Sequence, residues 1–293
     1  MSPILSTYTL RLAAHTQASA TKLRTQYPSA EVLFTDCLAF LKGATAIYAV
    51  HSREKEMGFN LVDAAVADSQ RPGNVFEHFV LSSVLSTQHR GLMQHDLKSY
   101  VEERLCLSPL NWTVLKPTNL ITYPVARLAG QEKPVMEKLW SPDVASSLIA
   151  LADLAAASEV VLREREKHYL AEYQLCSTMP VSDREVCEEI GRQIGKSIDI
   201  RTPTFETGVN NLLGYYGGKG SEVYVDAAPA EFRLAANGDL RGDLVRDEAE
   251  RLVLFYSRRG LVGSSNVLRW LLGREPMTVA EWVKRKLDDV GVE

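Results

Sequence analysis

No stretch of this chain stays apolar for the roughly 20 residues that a membrane-crossing helix requires. The 293 residues carry 33 basic against 37 acidic side chains, a net charge of -4. That balance offers no general attraction to nucleic acid or to an anionic membrane. The four cysteines (Cys37, Cys106, Cys176, Cys187) form no Cys-x-x-Cys pair. Neither a zinc site nor a disulfide framework is signalled, no metal is expected, and a reducing, cytoplasmic compartment fits. A Gly-x-Ser-x-Gly elbow is missing, which argues against a serine hydrolase. Also missing is the strand followed by Gly-x-x-Gly-x-x-Gly whose backbone N–H groups hold a pyrophosphate. Only seven residues precede Tyr8, fewer than a strand, a turn and a helix need. The one glycine-rich run, Gly214 to Gly220 (GYYGGKG), continues into Ser221. Its spacing is wrong for a phosphate loop and no strand leads into it, so a flexible turn is expected. Acids are absent from residues 1–30, which contain Arg11, Lys22 and Arg24. That is the composition of a transit peptide, but YTLRLAA is strand-like and Tyr27–Pro28 is a natural helix stop. A strand at 8–14 and a helix at 18–26 are therefore expected.

What the chain does have is enough apolar material, 45%, for one large core or two modest ones. Its organising stretch is 74–120. Val75 to Val84 is β-branched and aromatic, the composition of a buried strand, and Asn111 to Lys116 repeats that character before Pro117. Between them Leu92 to Leu105 has helical spacing, with Met93, Leu97, Tyr100, Val101 and Leu105 near one face. A strand, a crossover helix and a second strand predict a parallel pair with a right-handed connection. Ser82, Ser83, Thr118 and Asn119 then share the carboxyl edge of a sheet, where open α/β sheets bind ligands. Gln94, His95, Lys98 and Glu102 stack on the opposite stripe of the helix.

Upstream, short strands are expected at 31–35 and 44–50, separated only by Asp36 to Gly43, and a helix at 56–67. The alternation predicts a doubly wound α/β sheet. Downstream the pattern turns helical. Ser141–Pro142–Asp143 reads as the start of a helix running to about 158. Ser182 with Glu185, and Thr278 with Glu281, read as capping boxes. Asp243 to Arg259 reads as an amphipathic helix stopped by Gly260. Arg258–Arg259 and Lys284–Lys286 read as solvated faces. The division expected is 1–120 as a Rossmann-like domain and 121–293 as a mostly helical lobe, with a short strand near Tyr173–Cys176.

The runs LSSVLSTQHRGLMQHDLKSYVEERL and NWTVLKPTNL resemble the NmrA-like group of atypical short-chain dehydrogenases, its fungal members in particular. So do WSPDVASSLIALADLA, EKHYLAEYQLCSTMPVSDREV and RRGLVGSSNVLRWLLGREPMT. The resemblance extends from Tyr8 onward. It implies an NAD(P)-binding domain with a preference for NADP(H) and a smaller C-terminal substrate lobe. Two activities follow: a reductase of small organic or secondary-metabolite molecules, or a redox-sensing regulator that binds the dinucleotide and a protein partner. The resemblance matches Lys98 to the family lysine beside the nicotinamide. It matches Ala49–Val50 and Ser82–Ser83 to the ends of cofactor-bordering strands, Pro117–Thr118–Asn119 to the nicotinamide pocket, and Asp36 to the acid near the adenine. The chain departs from the family in several places. The first strand and glycine turn have no counterpart. His15 stands where an arginine meets the 2′-phosphate. Gln94 stands where ordinary short-chain dehydrogenases carry a tyrosine, a replacement usual in NmrA-like chains.

Each of these residues also has a plain structural reading. Lys98 is either the functional amine or a surface lysine paired with Glu102 at i,i+4. His95 is either a proton donor near neutral pH or a satisfied residue at a helix start. Ser83, with Ser82, either offers a hydroxyl to substrate or simply ends a strand. Asp36 either meets the cofactor or forms a turn.

Overall fold

The computed structural model describes residues 8–14, 17–33, 36–50, 55–216 and 240–291. It is a parallel α/β fold whose chain divides into two compact units. The first comprises residues 1–83, 97–115 and 155–173, and the second 84–96, 116–154 and 174–293. Strand β1 (Arg11–Ala13), helix α1 (Gln17–Gln26), β2 (Glu31–Leu33), α2 (Cys37–Leu41), β3 (Ala46–Val50), α3 (Lys55–Ser69) and β4 (His78–Ser82) open the chain. Helix α4 (Met93–Cys106) and β5 (Trp112–Pro117) complete the organising stretch within a residue or two of the expected bounds. β1 pairs with β2, and β3, β4, β5 and a later strand, β9 (Ala171–Leu175), form a four-stranded sheet in that order. The β1–β2, β3–β4 and β4–β5 pairs are all parallel, with Val50 level with Ser82 and Ser82 level with Leu115.

Every residue of β4 is buried, as a central parallel strand covered on both faces must be. That is why its sequence runs apolar without alternation. Phe79 and Leu81 of β4 and Val114 of β5 pack with Val101 and Leu105 of α4 and Val62 and Ala65 of α3 into the core of the first unit. The two helices meet at Gly58, where an added Cβ would come within 2.5 Å of Val101 Cγ2. Replacing a helix-interior glycine by alanine ordinarily gains about 1 kcal/mol. Here the new methyl meets a fully buried valine, and overpacking costs about 1–3 kcal/mol. Gly58→Ala is therefore expected to lower the thermal midpoint; a raised midpoint would show that α3 and α4 separate freely.

The second unit contains β6 (Asn119–Leu120), α5 (Val125–Gly130), β7 (Val135–Glu137) and β8 (Leu148–Ile149). Helix α6 (Leu151–Glu164) starts there, and α7 (Asp183–Ile194), β10 (Asp199–Arg201), α8 (Phe205–Tyr216), α9 (Leu240–Arg258), α10 (Asn266–Leu272) and α11 (Val279–Asp288) follow. Both expected capping boxes are present, at the starts of α7 and α11. The glycine stop after α9 is Gly260, at φ +65°. Arg258, Arg259 and residues 284–286 are exposed. No described helix is long and apolar enough to cross a membrane.

Residues 121–293 are mostly helical, and besides the strand near Tyr173–Cys176 they contribute to two short parallel pairs, β8 with β6 and β10 with β7. Three expectations are corrected. Ser141–Pro142–Asp143 does not start a helix. Ser141 Oγ accepts from the Asp143 N–H at 3.4 Å in a local turn. The chain then bridges Val181 at Ser146 and pairs β8 with β6, so α6 begins only at Leu151. The link from Asp36 to Gly43 contains α2. Finally, Tyr100 lies on the exposed side of α4, while His95 and Glu102 from the polar stripe are buried.

Candidate functional site

At the carboxyl end of β4, Lys98 of α4 turns its Nζ to the carbonyl of Ser82 at 3.4 Å. The amine is largely buried, and burial pulls it down to about 8, a fall that the nearby Glu102 carboxylate opposes. It is not the solvated surface lysine that the spacing also allowed. One turn further along α4, Glu102 is 8% exposed and accepts the hydroxyl proton of Ser83. Ser83, 4% exposed, is fixed by its own backbone as well, its N–H donating to Leu115 O at 2.8 Å. The helix can carry this pair because Lys98 and Glu102 are four residues apart and so project from one face. The register places Val50, which ends β3, beside Ser82, and leaves its apolar side chain exposed, while Ala49 is buried. Ser82, Ser83, Lys98, Glu102 and Val50 thus gather at one strand edge of the first unit. The arrangement brings together an amine, an apolar surface and a buried carboxylate.

The remaining residues marked out in the sequence lie elsewhere or are otherwise engaged. Asp36 caps α2, accepting from Ala39 N at 2.9 Å, which is the turn-forming role that its position also suggested. In the second unit, His95 is buried and its Nδ1 donates to Ser86 O at 2.9 Å, so its place is that of a satisfied residue at a helix start. Pro117 ends β5. Thr118 donates its hydroxyl to Ser147 O at 2.8 Å, and Asn119 Oδ1 accepts from the Tyr256 hydroxyl at 3.0 Å. Tyr256 in turn stacks on Trp140, ring centres 4.6 Å apart. His15 and most of the glycine-rich run lie outside the described residues. Among the described residues no group of three His, Cys, Asp or Glu side chains could hold a metal ion.

The sequence marked Glu102 only as the i,i+4 neighbour of Lys98; its bond to Ser83 is a contact across nineteen residues. Two further polar clusters carried weaker signals. Buried His78, at the start of β4, bonds through Nε2 to Thr113 Oγ1 at 2.8 Å, and Thr113 donates on to His168 O at 2.6 Å. A histidine opening an otherwise apolar run was the only sign of that cluster. In the second unit, Tyr123 donates to Asp183, which Lys138 also meets at 2.9 Å. Burial first, and then Asp183, push the Tyr123 phenol far above its ordinary value.

The sequence matches no protein-family model and no curated protein. Solved structures do match along nearly the whole chain. An NADPH-dependent quinone oxidoreductase from Escherichia coli is 19% identical with a TM-score of 0.65, over 94% of this chain and 90% of its own. Triphenylmethane reductase from a Citrobacter species, complexed with NADP(H), is 15% identical with a TM-score of 0.65, over 94% and 89%. NmrA, a negative transcriptional regulator solved with NADP, is 14% identical with a TM-score of 0.65, over 97% and 90%. At such identities the likeness establishes a fold: the Rossmann-like α/β fold of NmrA and these reductases.

Proposed function

We propose that this chain of NmrA-type fold is an NmrA-like oxidoreductase that uses NADP(H) on a small organic substrate, a secondary metabolite among the candidates. The observation that carries the reading is the Lys98 amine, buried at the end of a central parallel strand and held toward the Ser82 carbonyl. The titration of that amine near 8 leaves most of it an ammonium at neutral pH. An ammonium there suits vicinal ribose hydroxyls, to which it donates while its charge lowers the pKa of a neighbouring hydroxyl. The exposed Val50 side chain, level with Ser82, suits the flat face of a nicotinamide. These residues therefore fit the cofactor, which when bound supplies a hydride to an electrophilic carbon. Lys98 and the strand end do the orienting. The organisation proposed with this is 1–120 for the cofactor and 121–293 for the substrate.

A second reading is a dinucleotide-binding regulator without turnover, acting through a protein partner. It is favoured by Ser83, whose hydroxyl proton is held by Glu102 and so is not offered to a substrate. Calorimetric titration with NADPH separates the alternatives from an empty case. Binding in the micromolar range is expected, weakened at least tenfold in Lys98→Met, with oxidation of NADPH by a quinone or another small carbonyl compound. Binding without oxidation of NADPH by any such acceptor would favour the regulator. No binding at millimolar NADPH would remove both.

A further inference from the structure

Glu102 shows more than the proposed function requires. A carboxylate taken out of water needs partners, and two that this one meets are of different kinds. Ser83 gives it a hydroxyl proton across nineteen residues of sequence, and Lys98, one turn back on α4, feels its charge. A glutamine could still accept from Ser83 through its amide oxygen, in a weaker bond. What it could not supply is the negative charge that Lys98 feels.

We propose that Glu102 is the positioning residue of this site, binding the Ser83 hydroxyl and the Lys98 amine into one buried unit at the carboxyl end of β4. Burial drives the amine toward its neutral form, in which it keeps two donors and gains a lone pair. The Glu102 charge works the other way and preserves the ammonium with its three donors. Ser82, whose carbonyl faces the amine from the end of β4, brings no charge, and the Glu102 carboxylate of α4 acts on the amine to raise its proton affinity. The same carboxylate turns the Ser83 proton inward, so that the serine presents only an oxygen lone pair. Part of this inference, the effect on ribose binding, rests on the function proposed above; the state of the amine does not.

Two measurements keep the parts separate. Competitive acetylation of Lys98, followed by peptide mass spectrometry across a pH series, reads the midpoint of the amine in the protein without ligand. It should lie near 8 in the wild type and about one unit lower in Glu102→Gln. Calorimetry with NADPH should then show binding that fades as pH rises through each midpoint, and therefore earlier in Glu102→Gln. Circular dichroism checks the fold of the variant. If Glu102→Gln does not fold, Glu102→Asp keeps the charge on a shorter arm, and its midpoint should fall between the two. A midpoint identical to wild type in whichever variant folds overturns the inference. A shifted midpoint in a protein that binds no NADPH upholds the inference and removes the cofactor reading.

Discussion

Asp153→Ala is expected to cost the fold about 3–5 kcal/mol, the range for removing one member of a buried charged cluster. Asp153 lies in the first turn of α6 and is fully buried. Its Oδ2 accepts from the Ser177 hydroxyl and from the Met277 N–H, both at 2.7 Å, and its Oδ1 accepts from Arg274 Nη2 at 2.8 Å. One carboxylate therefore ties three separated segments of the second unit together. The start of a helix favours a negative charge there as well. Alanine would leave a buried backbone N–H and a buried hydroxyl without an acceptor, at about 1–3 kcal/mol each. The arginine is a lesser part of the loss. Its side chain is half exposed, so Arg274→Ala should cost about 1 kcal/mol or less. Asp153→Asn should recover part of the loss, because its amide oxygen can still serve Ser177 and Met277 while the NH2 turns toward the solvated arginine. Urea unfolding of the three variants at neutral pH checks the order. A loss below about 1 kcal/mol in Asp153→Ala, within the range of an ordinary surface substitution, would mean that the cluster contributes little.

The parts of this fold that could be read in the sequence are those whose signal repeats within the element itself. Helix α4 repeats its face over fourteen residues, and β4 has Phe79, Val80 and Leu81 in a row, the unalternating apolar composition of a covered strand. The capping boxes at Ser182 and Thr278 were legible because both halves lie within one helical turn. Other elements are too short for their period to repeat. β6 and β8 have two residues each, and two residues cannot alternate. Helix α2 has five, little more than one turn. Ser141–Pro142–Asp143 carries a proper helix start that pairing of the next residues with β6 and Val181 overrides.

The candidate site divides along the same line. The i,i+4 spacing of Lys98 and Glu102 is local, so their shared face was visible. Which way that face points was not, because the carboxylate is drawn inward by a serine just past the end of β4. Asp36 and His95 each have a backbone partner close in sequence, Ala39 and Ser86, a local contact of the kind that sequence spacing can suggest. Thr118 and Asn119 were marked out by resemblance, and their side chains bond to Ser147 and Tyr256, 29 and 137 residues away. No local spacing could report that.

Acid should weaken the first unit in a defined window. His78 is fully buried, and the direction of its hydrogen bonds is fixed by its neighbour. The Thr113 hydroxyl gives its proton to His168 O, so it can only accept from His78. Nε2 therefore carries the hydrogen, and Nδ1 is left buried without a hydrogen-bond partner. A proton added to Nδ1 would be a buried charge near the Arg165 guanidinium and the His168 ring. Burial first, then Arg165 and His168, lower His78 from 6.5 to about 4. His168 is lowered too, by burial, against the pull of Glu164. The folded state thus holds His78 neutral while the unfolded chain binds its proton at about 6.5. Stability is unaffected above that pH and falls as pH drops from 6.5 toward 4, where the loss levels off. At about 1.4 kcal/mol for each unit of difference, the His78 contribution is about 3 kcal/mol. The segment most exposed to the change is Arg165 to Leu170, whose two ends already have φ of 40° and 59°, and such backbone persists only while its surroundings hold it. Urea midpoints at pH 7, 6, 5 and 4.5 should fall progressively in the wild type. His78→Gln, weaker at neutral pH, should lose much of that slope, because an amide cannot take the proton. A wild-type midpoint that stays level down to pH 4.5 would mean that the imidazole is protonated in place, with Nδ1 finding an acceptor when the charge arrives.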